Sequence, residues 1–322
     1  MSSDDPRLAA FETFCKTLGQ DYLTDYQFML KAYDLAERHG LSLLPVSYYS
    51  PVATVAEIDA VGDQELFGGD FGIGLDRAAQ YRTLAEQVLP FATELRGIPE
   101  KDARQGSFSW KNGMFPVQDA CTYYGIVRFY KPRQVLEVGS GFSTLIAARA
   151  AAANGHTTVR CIEPYPTDFH NRHLRDQVGF SLIEKKVQDV PLEVFSGLDA
   201  GDVLFIDSSH IVRPGSDLEY LVFRVLPVLK AGVIVHIHDM FIPKGYSRPY
   251  YTACKWHFNE NYLIAALLAD NPKWEVLIAN AYLGEVGLML DALTRGVSRD
   301  EDEFNLLRGS AGGSSLWLRK RH

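Results

Sequence analysis

The fold of this chain is decided by the stretch QVLEVGSGFST, residues 134–144. The apolar run Gln134–Val138 is typical of a buried strand, and two glycines, Gly139 and Gly141, follow it at once. Glycine lets the backbone turn sharply and lets a ligand approach it with no side chain in the way. The stretch therefore predicts a strand, a ligand-binding turn and the start of a helix.

The chain beyond this turn continues to alternate between short apolar runs and stretches of helical periodicity. This alternation predicts an α/β fold, a doubly wound and Rossmann-like parallel sheet with helices on both faces. We expect strands at Gln134–Val138, Thr158–Ile162, Ser181–Lys185, Val203–Ile206 and Val233–Ile237. We expect helices at Thr144–Ala153, Asp168–Val178, Leu192–Ser196 and Asp217–Leu229.

An acidic residue, Glu163, follows the second predicted strand, 22 residues past Gly141. In doubly wound folds an acid at this place accepts hydrogen bonds from ribose hydroxyls. The dinucleotide fingerprint is incomplete, because Thr144 occupies the position of its third glycine. Glu137 adds a negative charge near the turn, which favours a cationic ligand without phosphates over a nicotinamide dinucleotide.

These residues resemble motif I of the class I S-adenosylmethionine-dependent methyltransferases. Three further segments resemble a bacterial small-molecule subgroup of them: NGMFPVQDA at 112–120, FIDSSH at 205–210 and HIHD at 236–239. The resemblance implies a seven-stranded sheet and S-adenosylmethionine as cofactor. The cofactor-binding residues expected from it are Glu137, Gly139, Ser140, Gly141, Ser143, Glu163, Asp189 and Asp207.

Within that set the resemblance implies a division of roles. Residues 139–141 would contact the methionine part of the cofactor, Glu163 its ribose and Asp189 the adenine amino group. An N-cap for a helix near Pro191 is the alternative role for Asp189.

Four titratable residues follow the fourth and fifth predicted strands: Asp207, His210, His238 and Asp239. Ligands of open α/β sheets bind beyond the carboxyl ends of the strands, so we expect these side chains near the transferred methyl group. In one chemistry His210 or His238 is the general base, with Asp207 beside it. In the other, Asp207 and Asp239 hold Mg²⁺, together with His238, Asn259 or Glu260.

Three further histidines have simpler interpretations. We expect His236 to be a hydrogen-bonded core residue, since it shares a strand face with His238. His170 and His173 fall on a predicted crossover helix, where we expect them at the surface.

The chain is expected to have two parts. Residues 1–105 are predicted to form a helical region that caps the acceptor site or mediates dimerisation. Residues 106–322 are predicted to form the methyltransferase domain. Residues 283–308 are predicted to be an insertion with one short helix before the last strand. The aromatic segment 241–251 is the candidate lid.

Composition excludes several classes of protein. The formal net charge is −8 and no basic stripe is present, which argues against a nucleic-acid partner. The four cysteines are far apart, which argues against a zinc site and a disulfide scaffold. No apolar run is long enough to cross a membrane and the first residues are acidic, so we expect a cytoplasmic protein.

The function predicted from the sequence is O-methylation of a small molecule, with a sugar, phenol or polyketide-like acceptor. A nicotinamide-dependent oxidoreductase and a non-catalytic cofactor-binding protein on the same fold are the alternatives. The expected partners are the acceptor and a second copy of the chain.

Overall fold

The computed structural model describes residues 5–21, 24–61, 72–101, 106–177, 179–284, 288–308 and 312–322. These residues fall into two compact units. The first lies within residues 1–63 and 248–257, and the second within residues 64–247 and 258–322. No helix among the described residues is long and apolar enough to cross a membrane.

The first unit is helical. Its helices are Pro6–Asp21, Tyr26–Arg38, Val55–Val61 and Arg248–Thr252. The side chain of Asp25 caps the second helix by accepting a hydrogen bond from the Phe28 amide at 3.0 Å. Arg248 donates to Asp59 at 2.6 Å.

The second unit contains a seven-stranded sheet, as predicted. Its strands are β1 (Gln134–Val138), β2 (Thr158–Ile162), β3 (Phe180–Ile183), β4 (Val203–Ile206), β5 (Ile234–Ile237), β6 (Trp274–Ala279) and β7 (Leu316–Lys320). Their order is β3-β2-β1-β4-β5-β7-β6, and β7 runs antiparallel to both of its neighbours. The strands β1, β2 and β4 have the predicted bounds, and β3 and β5 differ from them by one or two residues.

Helices cover both faces of this sheet, which confirms the doubly wound fold. The helices of the second unit are Arg77–Thr83, Leu89–Ala92, Val117–Tyr130, Phe142–Asn154, Leu192–Ser196, Asp217–Tyr220, Leu226–Val228, Glu260–Leu268, Asn280–Gly284, Leu288–Val297 and Glu301–Arg308. Two apolar clusters lie on opposite faces. Val135 and Phe205 belong to one, Leu136 and Leu204 to the other. Successive side chains of a strand alternate between faces, so β4, which is buried on both faces, is apolar throughout.

Two sequence predictions about helices need correction. The crossover helix expected at Asp168–Val178 begins at Asp168 as predicted but ends at Leu174, and its residues His170–Leu174 form a π-helical turn. The segment expected to hold one short helix contains two, Leu288–Val297 and Glu301–Arg308. Each buries a pair of apolar residues at helical spacing: Leu293 with Val297, and Phe304 with Leu307.

Candidate functional site

The glycine turn after β1 is built against the end of β4. Gly139 has a φ of +87°, and a Cβ there would lie 2.3 Å from the backbone oxygen of Asp207. The Asp207 amide donates to the Val138 carbonyl at 2.9 Å, so the two strand ends are held together. Glycine is therefore required at this position, and it places Asp207 beside the turn.

A buried carboxylate lies beneath the turn. Glu137 is fully buried and accepts hydrogen bonds from the hydroxyls of Tyr123 at 2.7 Å and Thr144 at 2.6 Å, and from the Cys161 thiol at 3.1 Å. Burial raises the pKa of Glu137 to about 7, although these hydrogen bonds oppose the shift. Its carboxylate is thus occupied by donors of the protein itself, and its predicted contact with a cofactor stays a prediction.

Thr144 connects this carboxylate to the turn. While its hydroxyl donates to Glu137, the same oxygen accepts the Gly141 amide at 3.0 Å. Thr144, which replaces the third glycine of the dinucleotide fingerprint, thus stabilises the turn through these two hydrogen bonds.

The other predicted cofactor residues lie around this end of the sheet. Ser143 is buried in the first turn of the Phe142–Asn154 helix. Glu163 follows β2 and accepts the Tyr165 amide at 2.8 Å. Asp189 is exposed at the end of a 3-10 turn, and its alternative role as an N-cap was wrong, because Pro191 occupies that position.

Two histidines expected at the surface are placed differently. His170 is 4% exposed, and its Nε2 lies 2.7 Å from the hydroxyl oxygen of Ser140 in the turn. His173 is half-buried with its ring stacked on Phe169 at 4.7 Å. The His170 ring thus contacts the glycine turn, which no helical periodicity could indicate.

The four titratable residues after β4 and β5 lie together. The Nε2 atom of His210 is 3.4 Å from an oxygen of Asp207 and 3.8 Å from one of Asp239. The Nδ1 atom of His238 is 3.7 Å and 3.8 Å from the other oxygens of the same two carboxylates. We call these four residues the strand-end cluster. Each acid therefore lies between two imidazoles.

Glu260 extends the cluster behind His210. Its Oε2 lies 2.7 Å from His210 Nδ1, and the side chain is 1% exposed. Burial alone would lower the pKa of His210, but Asp207 and Glu260 on either side raise it to about 10. Asn259, expected as a possible ligand, instead accepts the backbone amide of Val212 at 2.6 Å.

Asp119 is a site residue that the sequence reasoning missed. It is fully buried in the Val117–Tyr130 helix, and its carboxylate accepts the amides of Ser314 and Ser315 at 3.0 and 2.9 Å. It also accepts the side-chain amide of Asn280 at 2.7 Å. Burial would raise the pKa of Asp119, but His238 and these donors hold it below its usual value. An acid inside an otherwise apolar helix was the available indication.

Asp119 fixes the orientation of His238. The two side chains meet at 3.2 Å between Nε2 and Oδ2, so the Nε2 hydrogen is donated to Asp119. The Nδ1 atom is buried and has no hydrogen-bond partner among the described residues. Burial disfavours the charged imidazole, but Asp207 and Asp119 raise the pKa of His238 well above its usual value. The unpartnered nitrogen therefore faces Asp207 and Asp239.

His236 lies away from this chemistry, as predicted. It is fully buried, its Nε2 lies 2.6 Å from the Ser315 hydroxyl, and its ring stacks on Trp317 at 3.9 Å. Burial holds the pKa of His236 well below its usual value, so it is a neutral core residue.

The strand-end cluster also fits a divalent cation. Asp207, His238 and Asp239 each offer one ligand atom, and these atoms all lie within 4.8 Å of one another. The unpartnered Nδ1 of His238 is one of them. An imidazole among the ligands suits a transition metal better than Mg²⁺, which prefers oxygen.

Comparison with known families identifies the sheet that carries this site. Residues 136–240, from β1 to the residues just after β5, match the family model described as a methyltransferase domain. The chain carries a methyltransferase domain. The prediction of a methyltransferase fold is thereby confirmed over these residues, and the match contains both the glycine turn and the strand-end cluster.

A relative of this methyltransferase is an uncharacterized protein from Archaeoglobus fulgidus. It is 29% identical over 164 residues, which cover 48% of this chain and 73% of that protein.

Several solved methyltransferase structures resemble the chain at a distance. A putative methyltransferase from Thermobifida fusca has a TM-score of 0.43 at 12% identity, covering 77% of this chain and 88% of that one. The plantazolicin methyltransferase BpumL, in complex with S-adenosylhomocysteine, has a TM-score of 0.41 at 13% identity, with 77% and 90% covered. At TM-scores this low, these likenesses carry no part of the assignment.

Proposed function

We propose that this methyltransferase moves the methyl group of S-adenosylmethionine onto an oxygen of a small hydroxylated acceptor at the strand-end cluster. The observation that carries this proposal is the orientation of His238. Asp119 takes the hydrogen of its Nε2, and Nδ1 remains unpartnered beside Asp207 and Asp239. A buried imidazole with one nitrogen held and the other free is the arrangement of a general base.

The cofactor is proposed to lie over the glycine turn. A Cβ on Gly141 would meet nothing within 4 Å, so there is open space above the backbone there. The helix Phe142–Asn154 begins at this turn, and its first amides favour a carboxylate. In this proposal Glu163 binds the ribose and Asp189 the adenine, while Glu137 supports the turn through Thr144.

In this proposal His238 takes the proton of the acceptor hydroxyl at Nδ1. The high pKa of His238 makes the neutral ring a strong base, but it also keeps the ring protonated when the site is empty. The sulfonium of bound S-adenosylmethionine is a cation close to the ring, and a nearby positive charge favours the neutral form. Binding of the cofactor thus prepares the base, and alignment of the two reactants supplies most of the acceleration.

His210 has a supporting role in this proposal and is the second candidate base. As an imidazolium between Glu260 and Asp207, it holds the Asp207 carboxylate in place beside the turn. Asp207 in turn lies next to His238, and we propose that it orients the acceptor hydroxyl.

A divalent cation is the alternative means of activating the acceptor. It would be held by Asp207, His238 and Asp239, and it would lower the pKa of the acceptor hydroxyl. Asp119 would then orient the ligating imidazole, which is a common role for a carboxylate behind a metal-bound histidine.

The test is methyl transfer from labelled S-adenosylmethionine to a panel of sugars, phenols and polyketides, with EDTA or with added Mg²⁺ or Mn²⁺. The His238→Gln variant is expected to lower kcat by about 10²- to 10⁴-fold with unchanged cofactor affinity. His156→Gln is the control, since His156 is an exposed histidine bonded to the carbonyls of Asn154 and Lys131. Full activity of His238→Gln, or absence of cofactor binding by the folded wild type, would overturn the proposal.

Four expectations from the sequence stay predictions. They are the small-molecule class of the acceptor, the cytoplasmic location, the homodimer and the cap formed by residues 1–105. The candidate lid, residues 241–251, has described residues in both units, and its role also stays a prediction.

A further inference from the structure

A chain of hydrogen bonds leads from the backbone into the glycine turn. The Thr167 amide lies 2.8 Å from Nδ1 of His170, and Nε2 of the same ring lies 2.7 Å from the Ser140 hydroxyl oxygen. The ring is 4% exposed, and Ser140 is half-buried between Gly139 and Gly141.

The direction of each hydrogen bond follows from the backbone amide. An amide N–H can only donate, so Nδ1 of His170 accepts and carries no hydrogen. A neutral imidazole then has its hydrogen on Nε2, and this hydrogen is donated to the Ser140 oxygen. The opposite direction would require a ring without any hydrogen on nitrogen.

The single hydroxyl hydrogen of Ser140 must therefore point elsewhere. Among the described residues, the structure gives it no acceptor. Without His170 the hydroxyl could rotate freely and could accept as readily as donate. With His170 in place, one lone pair of the oxygen is occupied and the hydrogen points away from the ring.

The backbone at His170 is fixed by its place in the fold. His170 is the first residue of the π-helical turn His170–Leu174, and the last residue of that turn, Leu174, is fully buried in the apolar core.

We propose that His170 is a positioning residue that directs the Ser140 hydroxyl as a donor onto the methionine carboxylate of S-adenosylmethionine. This inference rests on the proposed cofactor site at the glycine turn. Of the two charged groups on the methionine tail, only the carboxylate accepts a hydrogen bond, and a hydrogen bond to an ionised group is about twice as strong as a neutral one. His170 thus gives the site its preference for a cofactor that carries the carboxylate.

The test is calorimetric titration with S-adenosylmethionine and with decarboxylated S-adenosylmethionine, which has the same sulfonium and amine but no carboxylate. The Kd of decarboxylated S-adenosylmethionine divided by the Kd of S-adenosylmethionine measures recognition of the carboxylate. In Ser140→Ala and in His170→Leu we expect this ratio to fall by about tenfold, with the affinity for the decarboxylated compound unchanged. His170→Gln, which keeps an N–H near the position of Nε2, is expected to restore much of the ratio.

The matched control is His173→Leu. His173 lies in the same π-helical turn, but its Nδ1 accepts the amide of Gly106 and has no contact with the glycine turn. Its ratio should equal that of the wild type.

The double variant Ser140→Ala/His170→Leu decides whether one residue acts through the other. We expect no loss beyond that of either single variant, because both remove the same hydrogen bond. Additive losses, or an unchanged ratio in Ser140→Ala, would overturn the inference. A folded wild type that binds neither compound would instead overturn the proposed cofactor site.

Discussion

Replacement of Gly139 by alanine tests how the glycine turn is built. The residue has a φ of +87°, and an added Cβ would lie 2.3 Å from the Asp207 backbone oxygen. That oxygen cannot swing aside as a flexible side chain could. The Asp207 amide is bonded to Val138 and the Gly139 amide to Ile162, so both sides of the contact are tied into the sheet.

The cost of this substitution has two parts. An L-residue in the left-handed region loses about 1–2 kcal/mol. Crowding an atom into a packed interior costs about 1–3 kcal/mol. We therefore expect the free energy of unfolding to fall by about 2–5 kcal/mol, a large part of the roughly 5–15 kcal/mol that stabilises a native protein.

The assay is urea denaturation, which measures the free energy of unfolding of Gly139→Ala, with Gly141→Ala as the matched control. Gly141 has an extended φ of 178°, and a Cβ there would meet nothing within 4 Å. Gly141→Ala should therefore unfold within about 1 kcal/mol of the wild type, since open positions tolerate substitution. Its affinity for S-adenosylmethionine should nevertheless fall, because the new methyl group enters the space assigned to the cofactor.

The two variants thus test different quantities: Gly139→Ala tests the free energy of unfolding, and Gly141→Ala tests the affinity for the cofactor. A Gly139→Ala protein as stable as the wild type would refute the steric reasoning. A Gly141→Ala protein with unchanged cofactor affinity would refute the placement of the cofactor over the turn.

Three further predictions concern the buried titratable groups. Because His238 must be neutral to accept a proton and its pKa is raised in the protein without cofactor, kcat/KM for S-adenosylmethionine should rise with pH beyond the ordinary histidine value of 6.5; a profile that is flat between about pH 6 and 9 would contradict this. Asp119→Asn should lower kcat by about 100-fold without changing the Kd of S-adenosylmethionine, since the His238 ring loses its charged acceptor while an amide oxygen can still accept from Ser314, Ser315 and Asn280; a changed Kd with normal kcat would point to a structural role. Glu137 favours its protonated form in the folded state, so the wild type should lose about 3 kcal/mol of stability as pH rises from about 4.5 to about 7. Glu137→Gln should remove that loss in urea titrations at pH 5 and pH 8, and an equal loss in the variant would count against a buried ionisation.

Much of the fold could be predicted because its evidence is local. The strands β1, β2 and β4 are short, mainly apolar stretches that end at a glycine or a charged residue, so their bounds can be found in the sequence alone. The turn at residues 139–141 could be predicted for the same reason, since glycine is a local conformational requirement. The gathering of Asp207 and Asp239 followed from topology, because parallel strands end at the same edge of a sheet.

Two expectations, the exposure of His170 and the number of helices before β7, failed because a side chain's partner is distant in the sequence. His170 was expected at the surface from periodicity, but its ring binds Ser140, 30 residues earlier. The segment before β7 was expected to hold one helix, and the burial of Leu293 and Leu307 in the core stabilises two.

The sequence by itself determined the sheet, the glycine turn and the set of residue types at the strand ends. The tertiary structure decided which of them work together. Asp119 meets His238 across 119 residues and meets the Ser314 amide across 195. Hydrogen bonds of this kind leave no periodic pattern in a sequence, because they depend on how separate elements pack and not on the conformation of either one.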